Sequence, residues 1–401
     1  MRSRNGIALV GAAVLVAALS LPAAAQGPTV EVLAEGLNAP RGLTLAADGS
    51  IYVAEAGTGG DACMGEGEAE VCMGLTGAVT QIADGSPTQV LTGLPSISLS
   101  GGAEVVGPSD VAFIDDSSFF VTLNLGGDPA QRADMPEGQQ SAGWLLKAST
   151  DGTSEPFADI AAFESSDNPE PTLVDSNPYS VAIVDGGAIV ADAGGNSLLM
   201  VDESGAVSLI AAFPPTMHEF PAEMLAAMGP PPGEEGEIAA EGEAAAAEGE
   251  AAPEGGMIPL PVESVPTSVV VGPDGAYYMG ELTGGPFPVG GASVWRVDAA
   301  TGEATPYATG FTNIIDIAFG PDGTLYVAEI VHEGLMTVFA AGGAPVGAIL
   351  SVPPGGGDST VLVNDERVMA LGGIVVADDG TIYASAGTLM PGGGSVVKIS
   401  P

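Results

Sequence analysis

The chain holds 401 residues, with 8 Lys and Arg against 51 Asp and Glu and a formal net charge of −43. That balance excludes a nucleic acid partner, which requires a basic footprint, and it disfavours an anionic membrane surface. Such a surface suits a salty or extracytoplasmic setting, where ions screen its self-repulsion.

Arg2 and Arg4 precede an apolar stretch from Ile7 to Leu21, and Ala23, Ala24 and Ala25 then offer a small-residue cleavage site. Residues 1–25 read as a secretory signal peptide, because the stretch is shorter than the roughly 20 residues of a spanning helix. The expectation is a secreted or periplasmic monomer, residues 26–401, with no membrane span after cleavage.

The next phrase, ADGSIYVAE at 47–55, begins a repeat. It returns as DDSSFFVTL at 115–123, VDGGAIVAD at 184–192, PDGAYYMGE at 273–281, PDGTLYVAE at 321–329 and DDGTIYASA at 378–386. A short apolar run precedes each copy, so every unit opens as strand, tight turn, strand; Asp-Gly tolerates the positive φ such a turn needs. The turn aspartates align as Asp48, Asp116, Asp185, Asp274, Asp322 and Asp379. Second strand pairs follow, as in SLLMVDESGAVSLIAAF at 197–213 and SVWRVDAATGEATPYATG at 293–310. Six units of four antiparallel strands predict an all-β fold, a six-bladed β-propeller. The period-2 patterns and 60 glycines exclude a helical solenoid.

Within the first unit, Cys63 and Cys72 are the only cysteines. A close pair in an exported chain predicts a disulfide closing a small loop. Between the third and fourth units, residues 214–264 form a low-complexity insertion whose middle, GEEGEIAAEGEAAAAEGEAAPEG, has eight glutamates and no basic residue. It cannot bury a core and is expected to be disordered, with one short helix in MHEFPAEMLAAMG before it. At the C-terminus SVVKIS at 395–400 reads as a third strand with nothing after it. TVEVLAEGL at 29–37 resembles a fourth strand, so the N-terminus is expected to complete the last blade and remove an open edge.

Long phrases resemble the ScyD/ScyE family of exported bacterial propellers. They include LNAPRGL (37–43), CMGLTGAVTQI (72–82), GPSDVAF (107–113), LGGDPAQR (125–132), DSNPYS (175–180), ADAGGNSLL (191–199), ESVPTSVVVGPDGAYYMGELTG (263–284) and GFTNIIDIAFGPDGTLYVAEI (310–330). The resemblance covers essentially the whole mature chain. It implies a secreted or periplasmic six-bladed propeller, in a family whose namesakes are associated with making the pigment scytonemin and which extends beyond pigment producers. Ser109 departs from the family, where bulkier polar residues precede the aspartate, and so does the Glu/Ala insertion.

In this repeat type the start of each first strand and the end of each second strand share one face. Seven residues after the turn aspartates stand Glu55, Leu123, Asp192, Glu281, Glu329 and Ala386; six before stand Gly42, Asp110, Tyr179, Ser268, Asp316 and Gly373. Glu55, Asp192, Glu281 and Glu329 are candidate metal ligands, and Asp110, Asp316, Tyr179, Asn124, Asn177, Asn196 and Asn313 complete a candidate ligand-binding face. A ring of carboxylates and amides suits a hard cation such as calcium, and lactonase-like propellers activate water with such an arrangement. Equally, strand-end carboxylates cap loop N–H groups or face solvent, and repeats inherit them by duplication. Arg41 and Arg132 are rare cations here, placed to pair with the acidic ring or an anionic ligand group. His332 follows Glu329 closely and reads as a surface histidine ahead of a general base.

No G-x-S-x-G elbow, H-E-x-x-H or P-loop is present, and His218 and His332 are the only histidines. Two functions remain open. One is a binding or scaffold protein for a small molecule, a cation or an extracytoplasmic protein partner. The other is an enzyme, either a metal-dependent hydrolase of the lactonase or phosphotriesterase kind or an oxidative tailoring enzyme.

Overall fold

The computed structural model describes residues 27–65, 70–99, 104–169, 173–228, 256–389 and 391–400. The expected signal peptide and the Glu/Ala-rich middle of the insertion lie outside the described residues. No helix among the described residues is long and apolar enough to cross a membrane.

Six antiparallel sheets follow one another along the chain, each starting from a short, largely buried first strand: Pro40–Leu45, Pro108–Phe113, Pro178–Val184, Pro266–Val271, Ile314–Phe319 and Gly373–Val376. Each first strand touches the next, and the sixth touches the first, so the six close into a ring. Four of them open on proline, whose missing N–H costs nothing at the first residue of a strand. The sixth sheet runs Gly373–Val376, Ile382–Ala386, Pro391–Ser400 and then Thr29–Asn38, so the N-terminal strand does supply the last edge.

The turn aspartates hold the hairpins. The Oδ1 atoms of Asp48, Asp322 and Asp379 each accept the backbone N–H two residues on, at 2.9 Å, and Gly49, Gly323 and Gly380 behind them have φ of 84°, 83° and 83°. In blade two that role falls to Asp115, which accepts from the N–H groups of Ser117 and Ser118, rather than to the aligned Asp116.

The core lies between blades. Tyr52 of blade one meets Phe113 and Phe119 of blade two at ring-centroid distances of 4.9 and 5.8 Å. Tyr278 of blade four meets Phe319 of blade five at 4.9 Å. Phe119, Leu325, Val327 and Ile382 are fully buried in such seams. This interlocking makes each blade's stability depend on its neighbours.

The margins of the insertion are more ordered than the composition suggests. Thr216–Pro221 pairs with Met257–Val262 as a two-stranded ribbon, and among the described residues of the insertion only Ala222–Met228 is helical. The prolines of MIPLPV hide the alternation, and such residues are tolerated because the ribbon has two open edges.

Candidate functional site

Register brings the candidate residues to one face. The first residue of a first strand pairs with the last of the second: Pro40 with Glu55, Pro178 with Asp192, Pro266 with Glu281 and Ile314 with Glu329. The connections between second and third strands and between blades leave from this side, so the long loops gather here.

The four acids are occupied within their own blades. Glu55 accepts the Asn38 N–H at 2.6 Å and the Thr80 hydroxyl. Glu281 accepts from the Ser264 hydroxyl at 2.8 Å and the Trp295 indole N–H at 3.0 Å. Glu329 accepts the Thr312 N–H at 2.7 Å and bonds His332 Nδ1 through its other oxygen. Asp192 accepts from the Asn177 N–H at 2.6 Å, the Ser176 hydroxyl at 2.8 Å and the Gly195 N–H at 3.1 Å. In every case at least one partner lies in the segment leading into the blade's own first strand. After the partners of the three glutamates come Ala39, Val265 and Asn313, with φ of 50°, 53° and 52°. That left-handed conformation is unfavourable for side-chain-bearing residues, and the carboxylate helps to hold it. Burial pushes the carboxyls of Asp192, Glu281 and Glu329 up, and these hydrogen bonds pull them back.

The expected calcium ring is therefore not assembled. Among the described residues the only three His, Cys, Asp or Glu side chains with ligand atoms within 4.8 Å of one another are Cys63, Glu70 and Cys72, and the two sulfurs there form a disulfide. The disulfide closes a hairpin in which Cys63 pairs with Cys72. Glu55, Asp192, Glu281 and Glu329 do not fit a common ion, because each is turned back into its blade.

The cations also go elsewhere. Arg41 is buried and donates to the Tyr179 hydroxyl at 2.8 Å and the Val105 carbonyl at 2.7 Å. Arg132 forms a two-pronged pair with Asp159, at 2.8 and 3.1 Å, outside the proposed ring. The amides tie loops. Asn196 Oδ1 accepts the Val265 N–H at 2.9 Å, and Asn313 Oδ1 accepts the Leu335 N–H at 3.0 Å. Asn124, with its amide oriented to satisfy its surroundings, donates to the Gly107 and Pro178 carbonyls at 3.2 Å.

Asp110 and Asp316 do converge, on the axis of the ring. Gly42, Ser109, Asp110, Tyr179, Ser180, Thr267, Ile315, Asp316 and Gly372 line a space with no room for a water molecule. A Cβ on Gly42 would stand 2.2 Å from Asp110 Oδ1, so the close approach requires glycine. Asp110 accepts from the Ser180 hydroxyl and the Val181 N–H, both at 2.9 Å, stitching blade two to blade three. Asp316 accepts the Ile374 N–H at 2.8 Å, stitching blade five to blade six. Burial pushes Asp110 up to about 6, and burial together with the charge of Asp110 pushes Asp316 well above the usual carboxylate range.

Sequence reasoning missed two acids on the loop face. Glu164, on the helix Ile160–Asp167, and Asp175 lie beside Asp192 but outside the repeat, so no alignment of units marks them. It also missed a cleft of about 310 Å³ where the extended third and fourth strands of blade one lean on the loops of blade two. Its walls are Met64, Val71, Met73, Ile97, Leu99, Val106, Leu125 and Met135, with Gln131 as a polar group. Only the apolar character of ACM at 62–64 and VCM at 71–73 hinted at it.

No protein-family model and no curated protein matches the chain. Solved structures do. A protein of unknown function from Bacteroides thetaiotaomicron aligns over 93% of this chain and 76% of its own, at 9% identity and a TM-score of 0.52. A glucose dehydrogenase aligns over 93% of this chain and 99% of its own, at 12% identity and a TM-score of 0.51. The fold is a six-bladed β-propeller. At these identities the likeness extends to the fold alone.

Proposed function

We propose that this propeller is an exported, ScyD/ScyE-like binding protein that holds an apolar small molecule on its loop face. The cleft between blades one and two carries the reading. Its volume, its apolar walls and its single polar side chain match what a small-molecule site requires. Methionines Met64, Met73 and Met135 suit it to an irregular, polarisable ligand. The disulfide braces the hairpin that forms one wall, and a disulfide of this kind supports an oxidising, extracytoplasmic setting.

The test uses Nile red, a neutral apolar dye that the acidic surface does not repel. Saturable binding is expected, weakened about tenfold or more by Met73→Glu and unchanged by Leu209→Glu on the outer strand of blade three. Absence of binding, or equal loss in both variants, would overturn the reading.

A hydrolase is favoured by one observation. The buried Glu329 carboxylate holds His332 Nδ1, and the imidazole is one-third exposed on the loop face. A carboxylate-oriented histidine is what a general base requires. Lactone turnover that survives Met73→Glu and is lost in His332→Ala would make this second reading the correct one.

A further inference from the structure

The blades repeat a contact that the ring-closing seam lacks. Leu45, Phe113 and Phe319 are equivalent residues, each the last of its first strand and paired with the first of the second strand. Tyr52, Tyr278 and Tyr383 are equivalent in the second strands, opposite Thr44, Val270 and Val375. Tyr52 of blade one packs edge-on against Phe113 of blade two, and Tyr278 of blade four against Phe319 of blade five, both at a ring-centroid distance of 4.9 Å. Both tyrosines are 4% exposed. Tyr383 of blade six faces blade one, where Leu45 stands in the place of the phenylalanine. Leucine lacks the reach of a ring, and both Tyr383 and Leu45 stay partly exposed.

What remains between the two blades is a groove of about 510 Å³, lined by Leu45 and Gly49 on one side and by Val375, Asp378, Asp379 and Tyr383 on the other. It opens among the hairpin turns, on the face opposite the loop face and its methionine cleft. We propose that this groove binds an aromatic cation, a flat ring bearing an ammonium group. The ring would lie against Tyr383, Leu45 and Val375, where two other seams hold a phenyl group, and recover the edge-to-face contact that Tyr383 lacks. The ammonium group would meet the rim. Asp378 and Asp379 stand exposed there. Lys398, paired with Tyr383 on the next strand, offsets one of these charges, and Asp48 adjoins Gly49 on the other wall, so the rim stays acidic. Such a rim on a chain of net charge −43 attracts a cation and repels an anion. The volume suits a small organic ligand.

The full chain is titrated by calorimetry with naphthylmethylamine, and in parallel with naphthylmethanol, which carries a hydroxyl in place of the ammonium group. Physiological salt screens loose attraction to the acidic surface. One saturable amine site is expected, with the alcohol about threefold weaker or more. Leu45→Phe supplies the missing ring from the chain itself. It should weaken the amine about tenfold or more and leave the melting temperature unchanged or higher. Met73→Glu, in the cleft on the other face, should bind the amine as the native chain does. Asp378→Asn should weaken the amine and leave the alcohol unaltered, a readout that does not depend on how Leu45→Phe folds. The assignment is overturned by the absence of saturable binding, by equal binding in the native chain and Leu45→Phe, by a loss in Met73→Glu, or by an alcohol that binds as tightly as the amine.

Discussion

Asp110 and Asp316 stand on blades two and five, opposite each other in the ring, and each clamps its blade to the next through a main-chain N–H while facing the other across a space too small for water. Two buried carboxyl groups so placed do not both ionise at low cost.

The first expectation is a pH dependence. An aspartate exposed in the unfolded chain titrates near 3.8, whereas Asp110 is raised to about 6 and Asp316 is raised as well. The native state thus holds more protons than the unfolded one between these values. Stability falls as pH rises from about 4 through 6 and stays lower above. Urea midpoints at pH 5 and 8, in high salt to screen surface repulsion, should show the loss; Asp316→Asn should reduce it, leaving the part that comes from Asp110 and the other raised carboxyls. A midpoint that rises with pH would contradict the shared burial of the pair.

Glu281→Ala should destabilise the fold by roughly 2–4 kcal/mol, because it strands the Ser264 hydroxyl and the Trp295 indole N–H. Trp295 packs near Phe213, at a ring-centroid distance of 6.1 Å. The change should therefore also shift the tryptophan emission of the folded protein. Unchanged emission and unchanged stability would mean that Glu281 is ornamental.

Arg41→Met keeps much of the side-chain bulk but removes the donors to Tyr179 and Val105. A loss of roughly 1–3 kcal/mol is expected from the stranded partners. Arg41 is also the cation beside Tyr179, whose hydroxyl burial pushes up and Arg41 pulls down. Alkaline titration of tyrosine absorbance should accordingly show one tyrosine moving to higher pH in the variant.

Reducing the Cys63–Cys72 disulfide opens a loop whose ends are 9 residues apart. The chain-entropy contribution of so short a loop is about 2–3 kcal/mol, and the hairpin projects beyond the blade strands. Reduction should leave the global melting temperature nearly unchanged while exposing residues 56–76 to protease. It should also lower Nile red affinity, because Met64 and Met73 line the cleft.

The blades were legible because their signals are local. Asp48 and Gly49, or Asp322 and Gly323, declare a turn within a few residues, and six such turns with alternating strands fix the architecture. The closure by Thr29–Asn38 was legible from one missing strand. The positions of Glu55, Asp192, Glu281 and Glu329 were equally plain, but their role was not. Their partners at Asn38, Ser176 and Asn177, Ser264 and Thr312 lie one strand pair upstream, where no repeat marks a hydrogen bond. Asp110 and Asp316 were placed correctly at strand starts, yet only the ring shows that they face one another. Glu164, Asp175 and the methionine cleft belong to connections, where the chain departs from its own repeat.

The pairing of Thr29–Asn38 with Pro391–Ser400 sets an order on how the molecule is made. A chain delivered N-terminus first presents this strand at the outset, and the strand that receives it comes last. The ring cannot be sealed by partial synthesis. Until Pro391–Ser400 arrives, Thr29–Asn38 and the unfinished sixth blade both remain open edges. Newly made chains are thus at greatest risk of pairing with one another just before completion.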